Sequence, residues 1–96
     1  MQRDEITGRL AGSRNLLDRF GVRALYLFGS AVRNEARDDS DVDLLVEFEQ
    51  PISLFQFVRL QREIEAVLDC RVDLVTRRAI KPQLRDRILR EAVRAA

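Results

Sequence analysis

The sequence predicts an α/β (α+β) fold of order αβαβαβα, with helices packed on a small three-stranded sheet. Three observations lead to it. Stretches with apolar residues at helical spacing alternate with short apolar or strictly alternating runs. Gly21, Pro51 and Pro82 fall at the joints between them. The chain has 96 residues, enough for one domain over 1–96 with a single modest core.

Residues 4–20 read as one amphipathic helix through Ile6, Leu10, Leu17 and Phe20. Gly8 and Gly12 weaken it, and Gly21 ends it. Residues 22–28 form the first strand, because Leu25-Tyr26-Leu27-Phe28 is apolar on both faces, as in a central strand. Residues 30–36 read as a short helix capped by Ser30, and 37–40 as a polar turn.

The second strand spans about 42–48. Val42, Leu44, Val46 and Phe48 point one way, and Asp41, Asp43, Leu45 and Glu47 the other. After Pro51, Ser53-x-x-Gln56 reads as a capping box, with Ile52 and Phe57 as its staple. The helix behind it runs to Leu68, with Phe55, Val58, Ile64, Val67 and Leu68 inward. Residues 71–76 make the third strand, with Val72 and Leu74 on one face and Arg71, Asp73 and Val75 on the other. Pro82 opens the last helix, whose inward residues are Leu84, Ile88, Leu89, Ala92 and Val93.

Composition narrows the chemistry. With 46% hydrophobic and 34% charged residues, the chain reads as a soluble globular protein. A net charge of +1 points neither to nor away from nucleic acid. There is no histidine, which removes histidine-assisted nucleophiles and histidine metal sites. One cysteine, Cys70, excludes an internal disulfide and fits a reducing cytoplasm. Met1–Glu5 lacks the apolar core of a signal peptide, and no apolar run is long enough to span a membrane.

One pattern stands out: Phe28-Gly29-Ser30, Arg33, then Ser40-Asp41-Val42-Asp43-Leu44-Leu45-Val46, then Val72-Asp73-Leu74. Glycine permits a sharp turn and close approach to a ligand. Serine and neighbouring N–H groups at a helix start suit phosphate. Asp41 and Asp43, two apart in a strand, share a face, and hard carboxylates suit Mg²⁺ carried with a nucleoside triphosphate. An isolated Ser-Asp-x-Asp is better read as a solvated turn. Asp73 alone reads as an edge-strand carboxylate paired with an arginine. The ordered set favours chemistry over both readings. Aspartyl-nucleophile phosphatases also use Asp-x-Asp, but at the end of an apolar strand, whereas these aspartates open one.

The set resembles the minimal nucleotidyltransferases of the DNA polymerase β superfamily, the MntA-like antitoxins of HEPN/MNT toxin–antitoxin pairs. Asn34 stands where members usually carry glycine, a mild departure because asparagine tolerates a left-handed turn. The resemblance implies a mixed rather than all-parallel sheet. It implies that Asp41 and Asp43 bind Mg²⁺, with Asp73 as third ligand and general base. Gly29 and Ser30, with Arg33 and Ser40, would bind the nucleotide. It also implies transfer of AMP from ATP to a tyrosine of a HEPN-family helical toxin. The alternative is a binding module that neutralises its partner by contact alone. No direct nucleic-acid contact and no membrane are expected.

Overall fold

The computed structural model describes residues 1–33 and 41–96. Its sheet is built on two adjacent central strands, β1 (Val22–Phe28) and β2 (Val42–Phe48), paired antiparallel from Val22↔Phe48 to Phe28↔Asp43. β3 (Val72–Val75) lies parallel to β2, and β4 (Val93–Arg94) lies antiparallel to β1. The order is β3-β2-β1-β4, so the sheet is mixed and has four strands rather than the expected three. β4 is two residues long, too short for alternation to reveal it. Its neighbours extend the pairing: the Ala95 N–H donates to the Leu25 carbonyl at 2.8 Å, and the Leu25 N–H to the Ala96 carbonyl at 3.0 Å.

The expected first helix is two helices, α1 (Arg3–Ala11) and α2 (Arg14–Arg19). The break falls at Gly12-Ser13, where the Ser13 hydroxyl bonds the Arg9 carbonyl at 2.9 Å. Glycine and a serine bonding back to the preceding turn both weaken helix continuation. The inward residues Ile6, Leu10 and Leu17 are buried as the spacing requires. Gly21 closes the unit with φ +71°, a left-handed stop.

α3 (Leu54–Leu68) starts where expected: Ser53 Oγ accepts from the Gln56 N–H at 3.2 Å. Its inward face differs. Leu60, Ile64 and Leu68 are buried, whereas Phe55 is 90% exposed and Val58 also faces solvent. The helix carries two apolar stripes, and the sheet takes the one at i, i+4, i+8. Asp69 ends it in the left-handed region, at φ 54°. α4 (Pro82–Glu91) starts at its proline but buries no residue. Leu84 is exposed, and Ile88 and Leu89 are only half-buried.

One face of the sheet presents Leu25, Leu27, Leu44, Val46, Val72 and Leu74 to α1, α2 and α3, and this is the core. Each such side chain, fully buried, contributes about 1.5–3 kcal/mol. The opposite face is closed at one end only. There Ala24, Leu45 and Ile80 are buried beside a 3₁₀ turn, Arg77–Ala79, which Arg77 ties to Glu47 at 3.2 Å. Leu45, expected on an open face, is therefore covered.

Candidate functional site

Asp43 sits where the strand pairings converge. Across β1 its partner is Phe28, which leads into Gly29; across β3 its partner is Asp73. Directly paired residues share a face, so Asp43 and Asp73 project together on the face away from the core. Asp41, two residues earlier, immediately precedes β2.

Gly29 meets this group from the other side. Its φ is +77°, and a methyl group added there would collide with the Asp43 carboxylate oxygen and stand 3.3 Å from its carbon. The position therefore needs glycine twice over, for backbone conformation and for space. Gly29–Ala31 form a 3₁₀ turn closed by bonds from the Val32 and Arg33 N–H groups to the Gly29 and Ser30 carbonyls, both 3.2 Å. This turn stands where a helix over 30–36 was expected. Ser30 lies inside it and makes no side-chain cap. Ser40 and the remainder of the expected helix and polar turn lie outside the described residues.

Burial, then the charge of Asp73, then that of Asp41 push the Asp43 carboxyl above the usual carboxylate range. Among the described residues, no donor pairs with the side chain of Asp41, Asp43 or Asp73. Three carboxylates clustered without compensation are costly unless something positive joins them. Arg33, placed one turn beyond Ser30, donates from Nη1 to Glu91 Oε2 of α4 at 3.3 Å. Glu91 was not anticipated, because it belongs to a helix whose end is positioned by the unforeseen β4.

The oxygen-only donors fit a hard divalent cation such as Mg²⁺. Among the described residues, no three acidic, cysteine or histidine side chains close tightly enough to share one ion. Asp43 is instead the group that feels both neighbours. Two concavities lie elsewhere. One, of about 740 Å³, is on the outer side of α3 around Phe55 and Val58. The other, of about 400 Å³, is at the far end of β2 around Glu47 and Arg77. At the carboxylate group Asp41 and Asp73 are exposed and Asp43 is half-buried.

Residues 13–95 match the model of the nucleotidyltransferase domain family. The chain belongs to that family. It is a nucleotidyltransferase of the minimal, MntA-like kind. It is 48% identical over 83 residues to the protein adenylyltransferase MntA of Thermococcus cleftensis, an alignment covering 86% of this chain and 84% of that one. The nucleotidyltransferase fold is also shared with solved structures. A candidate minimal nucleotidyltransferase superposes with TM-score 0.82 and 41% identity, covering 97% of this chain and 95% of that one. A complex of a tri-AMPylated Shewanella oneidensis HEPN toxin with its MNT antitoxin gives TM-score 0.68 at 20% identity. It covers 99% of this chain and 72% of that one, and at that identity it supports the fold alone. Among the described residues, no helix is long and apolar enough to cross a membrane.

Proposed function

We propose that this nucleotidyltransferase moves AMP from ATP onto a tyrosine hydroxyl of a HEPN-family helical toxin, and so acts as an antitoxin in the cytoplasm. The observation that carries the reading is the meeting of Gly29 with Asp43, in register with Asp73 and crowded by Asp41. A phosphate-turn backbone and a carboxylate group occupy one open face. The acceptor belongs to a second protein, because that face is exposed and can receive a side chain presented from a partner's surface.

In this reading the triphosphate lies against the Gly29-Ser30 turn, whose left-handed backbone and close approach to Asp43 require glycine. Ser30 adds a hydroxyl, and Arg33 adds positive charge toward the outer phosphates. Ser40 is assigned to the nucleotide on the same grounds as the sequence pattern. Asp41 and Asp43 would hold Mg²⁺, with Asp73 completing the set, and the bound ion would offset negative charge on the phosphates. Asp73 takes the acceptor's proton as the tyrosine oxygen bonds to the α-phosphorus. The bond from that phosphorus to the oxygen bridging to the β-phosphate breaks, and pyrophosphate leaves. The Thermococcus relative is named for protein adenylyl transfer. The related complex contains an AMPylated toxin. A further toxin–antitoxin relative of the same fold was crystallised with AMP-PNP. Of these, the Thermococcus name supports adenylyl transfer to a protein, and the two complexes bear on the fold.

The test is to co-express the chain with a HEPN-family helical toxin and to measure that partner's intact mass. Wild type is expected to add AMP-sized increments on tyrosine, in an ATP- and Mg²⁺-dependent manner, and Asp43→Asn to add none. An unmodified partner whose toxicity is still suppressed by both forms would replace the enzyme reading with neutralisation by contact.

A further inference from the structure

β4 places a carboxylate beside Arg33. Val93 pairs with Leu27 and Arg94 with Tyr26, antiparallel. Glu91 ends α4 two residues before β4, and its contact with Arg33 brings it to the segment that follows the Gly29–Ala31 turn. There Glu91 lies between two arginines: Oε2 accepts from Arg33 Nη1 at 3.3 Å, and Oε1 accepts from Arg87 Nε at 3.4 Å.

We propose that Glu91 is an internal competitor for the nucleotide: it holds Arg33 in the free enzyme and yields it to the triphosphate, keeping Arg87 as its own partner. The inference rests on the reading that the phosphates lie at the Gly29-Ser30 turn.

Three features make this exchange favourable. Both Glu91 contacts are long, since strong pairs between arginine and carboxylate close to about 2.7–2.9 Å. The Arg33 and Glu91 side chains are 45% and 38% exposed, so their attraction is weakened by solvent. A phosphate offers the planar guanidinium two parallel acceptors and more charge than a single carboxylate oxygen does. Arg87 matters for the second half of the exchange. Glu91 without Arg33 would stand as a bare negative charge beside the polyphosphate, and Arg87, one helical turn earlier, leaves it neutralised. The element that carries Glu91 can yield as well, because α4 buries no residue. Glu91 is then a positioning residue that sets how much negative charge a ligand must bring to capture Arg33. A triphosphate meets that requirement more readily than a monophosphate.

The experiment is calorimetric titration of AMP-PNP with Mg²⁺ into wild type, Glu91→Gln, Arg33→Ala and the double variant, at low and at physiological salt. Glu91→Gln is expected to bind roughly two- to five-fold more tightly than wild type, the range open to an exposed ion pair. Higher salt should shrink the gain. In the Arg33→Ala background the gain should vanish, because the competition acts through that arginine. Unchanged or weaker binding by Glu91→Gln overturns the proposal. So does an equal gain without Arg33, which would make Glu91 a source of general repulsion only. Glu91→Asp, which keeps the charge, should not reproduce the gain of glutamine; if it does, the charge is not the cause. Failure of wild type to bind AMP-PNP would remove the nucleotide reading and this inference together, whereas binding with no Glu91→Gln gain overturns this inference alone.

Discussion

Two glycines with nearly the same backbone allow the role of Gly29 to be separated from simple strain. Gly21 has φ +71° with open space where a side chain would go, and Gly29 has φ +77° with the Asp43 carboxylate in that space. Replacing either with alanine places an L-residue in the left-handed region, at about 1–2 kcal/mol. Gly21→Ala should cost that and nothing more. Gly29→Ala must also push the Asp43 carboxylate aside. That carboxylate is the end of a side chain with no donor among the described residues, so it can rotate rather than rupture a bonded network. The added cost is that of an off-rotamer side chain, about 0.5–1.5 kcal/mol. Urea unfolding should therefore show Gly29→Ala less stable than Gly21→Ala by about that margin. In an Asp43→Ala background the two glycine substitutions should cost the same. Activity should divide them far more sharply. A displacement of the carboxylate by about 1 Å is enough for a loss on the order of 100-fold, whereas Gly21→Ala should keep near wild-type turnover. Equal stability losses at the two sites, in the wild-type background, would refute the collision argument. Equal activities would refute the placement of Asp43 in the chemistry.

Three further outcomes are expected. Asp43→Asn should raise the melting temperature of the chelator-treated protein at neutral pH. The folded state raises the Asp43 pKa, so it binds this proton more tightly than the unfolded chain does and loses stability as pH rises from the ordinary value of 3.8 through the raised one. The advantage of asparagine should accordingly close as pH falls through that window, and a pH-independent difference in melting temperature would refute the cause. Asp41→Asn and Asp73→Asn should each abolish AMP transfer while leaving far-UV circular dichroism and the melting transition intact; unfolding would point to a structural role. Leu60→Ala, at a fully buried position, should cost about 2–5 kcal/mol. Phe55→Ser, at an exposed one, should change denaturant stability by less than about 0.5 kcal/mol.

Much of this protein is written locally, and local features are what a sequence can state. Gly21, Pro51, Pro82 and the Ser53 cap act through their own φ angles and nearest N–H groups, so they mark element boundaries without reference to the rest of the chain. The period-two pattern of β2 places Asp41 and Asp43 on one face whatever lies beside it, and Val-Asp-Leu puts Asp73 inside a strand by the same rule. The ordered motif therefore made the carboxylates and the Gly-Ser turn legible. Other features depended on partners distant in sequence. α3 has two apolar stripes, and only the sheet beneath it chose Leu60, Ile64 and Leu68 and left Phe55 in solvent. Leu45 shares a face with Asp43, yet the 3₁₀ turn after β3 covers one and leaves the other within reach. β4 exists only because β1 offers an unpaired edge to two residues with no pattern of their own, and with it came Glu91 beside Arg33. The sequence by itself determined which residues carry charge, bend the chain and share a strand face. The tertiary structure decided which of those faces meet, because burial and strand register are set by surfaces that the local sequence does not contain.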